Sequence, residues 1–122
     1  MTLPVVNEFG FRYFTPDEFK CKHTGMNEID YKFIEALDRL RYKCEFPFVI
    51  TSGYRHETHP VEAKKDKPGT HNQGIAADIK VNNGWERYMI IKHATAMGFR
   101  GIGVEDRFVH VDLRDTEACW TY

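Results

Sequence analysis

Pro68-Gly69-Thr70-His71-Asn72-Gln73-Gly74-Ile75-Ala76-Ala77-Asp78-Ile79 is the stretch around which the rest of the chain can be arranged. Pro68-Gly69 has turn chemistry and closes a polar, lysine-rich loop that begins at Lys64. From Ile75 to Val81 the residues read as a strand, with Ile75, Ala77 and Ile79 alternating against Ala76, Asp78 and Lys80. Asp78 is thereby expected on the face opposite Ile79. Gly74 and Ala76 are small enough to let a backbone or a ligand come close.

A second strand is expected from Phe108 to Leu113, paired in a β-hairpin with Phe99 to Val104 through a turn at Glu105-Asp106. Its period of two sets Phe108, His110 and Asp112 on one face and Val109, Val111 and Leu113 on the other. His71, Asp78 and His110 together make two imidazoles and a carboxylate, a donor set that suits zinc. Three protein ligands leave a fourth position for water, as in catalytic rather than structural zinc sites.

Working outward, Asp30 to Cys44 has helical spacing, with Phe33, Ile34, Leu37, Leu40 and Cys44 on one apolar face. Phe46 to Ser52 reads as a strand closed by Gly53, and Tyr54 and Arg55 follow at its carboxyl end. Trp85 to Met97 reads as a second amphipathic helix, with Trp85, Met89, Ile90 (or Ile91), Ala94 and Met97 inward and Gly98 as a left-handed stop. Thr15-Pro16-Asp17-Glu18 has the form of a capping box with proline in the first turn, opening a short helix. The preceding Phe9 to Phe14 is either an edge strand or an ordered arm. Two further segments invite a metal reading and carry little of it. His56-Glu57-Thr58-His59-Pro60 spaces its histidines by three rather than four, with a helix-breaking proline directly after. Cys21-Lys22-His23 offers only two donors.

The chain has 122 residues, 17 basic and 18 acidic, for a net charge of −1, and this length suits a single domain spanning 1-122. So balanced a surface argues against nucleic acid or a membrane as partner. Cys21, Cys44 and Cys119 are odd in number and scattered, so free thiols are expected. No apolar run reaches a membrane span, and the N-terminus lacks the basic and apolar regions of a signal peptide, so synthesis as a cytoplasmic chain is expected.

Three runs carry a resemblance: Thr51-Ser52-Gly53-Tyr54-Arg55, then His71-x-x-Gly74-x-Ala76-x-Asp78, then Phe108-Val109-His110-Val111-Asp112. Over roughly residues 14 to 114 the chain resembles the zinc D-Ala-D-Ala peptidases, most nearly the short single-domain members common in bacteriophages and bacteria. The resemblance implies an α+β fold of the hedgehog/DD-peptidase type, a small, largely antiparallel sheet with helices packed on one side. It implies zinc held by His71, Asp78 and His110. Arg55 would bind the substrate carbonyl or carboxylate, with Ser52 and Tyr54 as neighbouring substrate contacts. The substrate would be a peptidoglycan peptide with a D-alanine-type residue at the cleaved bond, reached after lysis or from a virion. Gly69 stands where the family often has serine. Relatives place a catalytic carboxylate three residues before the last histidine, or a histidine two before it; this chain has Arg107 and Phe108 there. The remaining candidates for general base are Asp112, then Glu105 and Asp106, with Asp112 equally able to orient a ligating histidine. The rival expectation is a zinc-stabilised, inactive binding or virion structural domain.

Overall fold

Asp30 caps the first helix, its carboxylate accepting the Lys32 N–H at 2.8 Å. Helix α1 runs over Tyr31–Cys44, and the apolar face read from its spacing (Phe33, Ile34, Leu37, Leu40, Cys44) is fully buried. Each such large side chain contributes about 1.5–3 kcal/mol of transfer free energy. The computed structural model describes residues 4–122, and no helix in them is long and apolar enough to cross a membrane. Five strands form one sheet: β1 (Ile50–Ser52), β2 (Ala76–Lys80), β3 (Gly101–Val104), β4 (Phe108–Asp112) and β5 (Ala118–Thr121). Their order is β1-β2-β4-β3-β5, antiparallel throughout except for the parallel pair β3 and β5. The architecture is α+β, with helix α2 (Gly84–Ala96) packed beside α1.

Alternation along β2, β3 and β4 sorts the sheet into two faces. Ala77, Ile79, Val109, Val111 and Ile102 join the core with Phe33, Leu37, Ile90 and Ala94 from the helices. Asp78 is paired with His110, Ala76 and Gly101 with Asp112, and Gly103 with His110, so these residues share the other face. The hairpin and the β2 strand thus lie where the alternation puts them, each a residue or two shorter than its pattern.

Elsewhere the expectations need correction. For Phe9 to Phe14, of the two readings left open, the ordered arm is the one found. Buried Asp38 of α1 holds it by accepting from the Arg12 and Tyr13 N–H groups at 2.9 and 2.8 Å. Thr15 to Glu18 opens only a 3₁₀ turn (Pro16–Phe19), with Glu18 reaching back to the Thr15 N–H at 2.6 Å. The strand expected from Phe46 is regular only from Ile50, because Pro47 lacks a ladder donor and Phe46 and Phe48 serve the core from extended chain. In α2 only Ile90 and Ala94 are buried, whereas Trp85 is 55% exposed and turns its ring onto Phe46, 5.7 Å away. Gly98 does adopt the left-handed conformation, at φ +91. Strand β5 was not expected. Cys21, Cys44 and Cys119 are free thiols, the first two buried and the third exposed.

Candidate metal centre

Register alone brings two of the three donors together, since Asp78 and His110 are direct partners across β2 and β4. His71 arrives from the turn before β2, and several bonds fix that turn. Gly69 N–H donates to the buried Glu62 carboxylate at 2.5 Å, and Gln73 N–H donates to the Gly69 carbonyl at 3.0 Å. Asn72 Nδ2 donates to the Arg55 carbonyl at 2.9 Å, while Arg55 N–H donates to the His71 carbonyl at 3.2 Å. Gly74 lies in the left-handed region at φ +76, and a Cβ there would strike the Glu28 carbonyl. The small residue anticipated here therefore admits backbone, not ligand.

Three donor atoms converge. His110 Nδ1 lies 3.2 Å from His71 Nε2 and 3.0 Å from Asp78 Oδ1, and His71 Nε2 lies 3.3 Å from that oxygen. A tetrahedral zinc with bonds of about 2.0–2.1 Å holds its donors about 3.3 Å apart, so the triangle has the right size. The far nitrogens fix the tautomers. His71 Nδ1 donates to the Gly53 carbonyl at 2.7 Å, and His110 Nε2 donates to Asp112 Oδ2 at 2.6 Å. With both imidazoles neutral, two lone pairs and an anionic oxygen then face one another with no donor among them, an arrangement that suits a cation. Burial holds His71 below the ordinary imidazole pKa, although Asp78 pulls the other way. Burial also opposes charge on His110, yet Asp112 and Asp78 outweigh it and raise its pKa. Both carboxylates are the reverse case, since burial would raise them but their histidine partners lower them. Among the described residues this is the one cluster able to hold a metal.

The remaining candidates fall in different places. Arg55, its side chain 17% exposed, stands 3.6 Å from Asp78 Oδ2 and donates through Nε to Ser52 Oγ at 3.1 Å. Ser52 therefore holds the guanidinium and does not itself line the metal cavity. Tyr54, expected as a substrate contact, is buried, and its hydroxyl donates to Glu28 at 2.8 Å. Burial and Glu28 push that phenol up to about 12. Asp112 is fully buried behind His110, and its two oxygens are also engaged by Arg114 at 2.7–3.1 Å. Of the two roles that alternation left open for Asp112, its contacts are those of a partner orienting His110, with no oxygen free to take a proton from water. Glu105 sits at the hairpin turn and spends a carboxylate oxygen on the Arg107 N–H at 2.8 Å, and Asp106 is exposed beside it. Neither lines the cavity. His56 and His59 stay away from the metal donors. His59 stacks edge-on with His23 at 5.9 Å and borders a smaller cavity with Lys20, Lys22, Ser52, Tyr54 and Arg55.

Above the donors opens a cavity of about 560 Å³, lined by Arg55 on one side and by Phe108, Trp120 and Tyr122 on the other. The Trp120 ring lies 5.1 Å from His110, and the Arg114 guanidinium lies 4.5 Å from the Trp120 ring centroid. The sequence reading missed Arg114, Trp120 and Tyr122. The signal available was the alternation of Trp120 and Tyr122 across Thr121, two aromatics on one face of a strand.

A protein-family model described as Peptidase M15 matches residues 12–112, a span that holds all three donors, Arg55 and Asp112 but stops short of β5. No curated protein matches the chain.

Proposed function

The chain belongs to the peptidase M15 family of zinc-dependent metallopeptidases, and from that premise we propose that it hydrolyses peptidoglycan peptides at a bond beside a D-alanine-type residue. The observation that carries this reading is the three-donor set, open on one side to a cavity that Arg55 walls. Bound there, zinc would activate a water and polarise the scissile carbonyl. His71, Asp78 and His110 would hold it, with the Gly53 carbonyl and Asp112 fixing the two imidazole tautomers. Arg55 would donate to the carbonyl oxygen as negative charge grows there, its position set by Ser52 and by Asp78. The same reading carries the finer fold expectation, an arrangement shared with the hedgehog signalling domain, supported by the mostly antiparallel sheet with helices on one face.

The decisive experiment is hydrolysis of a D-Ala-D-Ala-ended peptide and of a muropeptide, with and without a chelator, followed by zinc restoration. Chelator-sensitive cleavage that zinc restores supports the proposal; an intact substrate with zinc-loaded protein overturns it. A second reading is favoured by one observation: among the described residues Asp78 is the only carboxylate lining the cavity, and it is one of the three candidate metal donors. On that reading the domain keeps zinc to hold its fold and binds cell-wall peptide without cutting it. Tight binding of the uncut muropeptide by zinc-loaded protein would distinguish it.

A further inference from the structure

Strand β5 reaches the metal face from the edge opposite Arg55. Arg55 follows β1 at one end of the order β1-β2-β4-β3-β5, and Tyr122 follows β5 at the other, with the donors on β2 and β4 between them. The parallel register pairs Gly103 with Trp120, and Gly103 is also the direct partner of His110. Trp120 and, two residues on, Tyr122 therefore fall on the face that carries His110. Glycine at 103 makes this possible. A Cβ there would lie 2.7 Å from Trp120 Nε1 and 2.8 Å from the Tyr122 hydroxyl, so both polar atoms occupy the space where a side chain would stand beside His110. The Tyr122 ring meets Phe108 edge-on at 5.2 Å, and the residue, 67% exposed, lines the metal cavity.

We propose that Tyr122 is a catalytic residue of the peptidase reaction, its phenolic O–H donating to the oxygen of the attacked carbonyl from the side opposite Arg55. This inference rests on the metallopeptidase reading. In hydrolysis a water oxygen bonds to the carbonyl carbon and the carbonyl π pair moves onto the oxygen. Collapse then restores the C=O, breaks the C–N bond, and leaves the water's protons on the amine and carboxyl products. Tyr122 contributes a hydrogen bond while the oxygen is negative and keeps its own proton. The residue is largely exposed, and an ordinary phenol, with a pKa of about 10, keeps its O–H at neutral pH. The chemistry suits a fixed donor aimed where charge develops, the arrangement whose single donors are commonly worth ~10²–10³ in kcat.

Tyr122→Phe keeps the ring on Phe108 and removes only the hydroxyl. The measurements are zinc content, melting temperature, kcat, and calorimetric affinity of the zinc-loaded chain for two ligands, a phosphinate analogue of the tetrahedral state and the product peptide. The expected result is unchanged zinc and melting, unchanged product affinity, and losses of ~10²-fold in both kcat and phosphinate affinity. Equal phosphinate affinity in parent and variant overturns the assignment while leaving the peptidase reading intact. Loss of zinc or of cooperative melting in Tyr122→Phe also overturns it, since the hydroxyl would then serve the fold. A parent chain that neither cleaves peptide nor retains the phosphinate overturns the peptidase reading, and this assignment with it.

Discussion

On one face of the sheet Ala77, Ile79, Val109, Val111 and Ile102 meet the helices; on the other, one residue out of phase, lie Asp78, His110, Asp112, Gly101 and Gly103, with Asp78 and His110 opening onto the cavity. The same strands and the same register serve both. The apolar face is held by shape and area, so it tolerates a change of side chain at graded cost. Atoms hold the metal face: a Cβ at Gly101 would overlap the Asp112 carboxylate, and the donors form a triangle with sides of 3.0–3.3 Å. A slip of one residue between β2 and β4 would exchange the faces and destroy both at once. The buried apolar set thus fixes the register, and the register delivers Asp78 to His110.

Substitutions on the two faces should part these roles. The largest effect is expected from the His71→Ala, His110→Ala double variant, which should bind no stoichiometric zinc by metal analysis and show no peptide turnover. Zinc retained at one per chain would remove these donors from the site.

Next comes Arg55→Ala, expected to lose ~10²–10³ in kcat while zinc content and melting temperature hold. An unchanged kcat would make Arg55 a framework residue joining the β1 end to the His71 turn through its backbone alone.

Asp112→Asn should act mainly through His110, weakening zinc affinity by ~10–100-fold in a chelator competition. It also has an acid signature. Burial works against the Asp112 charge, but His110 and Arg114 more than offset it and lower the pKa in the folded chain. The stabilisation is therefore complete above the unfolded carboxylate value of about 3.9 and is lost as pH falls below it. Melts of the metal-free variant should be flatter than the parent across that acid range. Parallel acid limbs would show that the Asp112–Arg114 pair carries no stability.

The smallest effect is Ile79→Val on the apolar face, next to Asp78. It should cost about 0.5–1.5 kcal/mol in denaturant unfolding and leave kcat and zinc affinity of the folded chain alone. A coupled loss of zinc affinity would mean the two faces are not mechanically separate.

The donors were legible because each lies in a local pattern: His71 and Asp78 share one turn and strand, and His110 sits on a strand whose alternation is unbroken. What the pattern could not convey was the use of a side chain already placed. Alternation puts Asp112 on the metal face, but Arg114, two residues on, takes up its oxygens and leaves it the contacts of a partner to His110. Strand β5 was illegible for another reason. Ala118–Thr121 is four residues long and mostly exposed, so its identity as a strand comes from pairing with β3. Its wall of the cavity was lost with it. Trp85 was misplaced because α2 buries so little, only Ile90 and Ala94, that a large side chain can lie across the edge toward Phe46.

The register between Asp78 and His110 has a kinetic consequence. It closes a loop that contains all of α2 and β3, so no donor pair on those two strands exists until that long-range pairing has formed. His71 and Asp78, close in sequence, can offer an early ion at most two contacts. A zinc ion held by these donors would thus be poorly suited to nucleate folding, and its full capture should trail sheet formation. In stopped-flow refolding, a zinc-release dye should respond in the last phase, making the ion a clock for the moment the two central strands lock together.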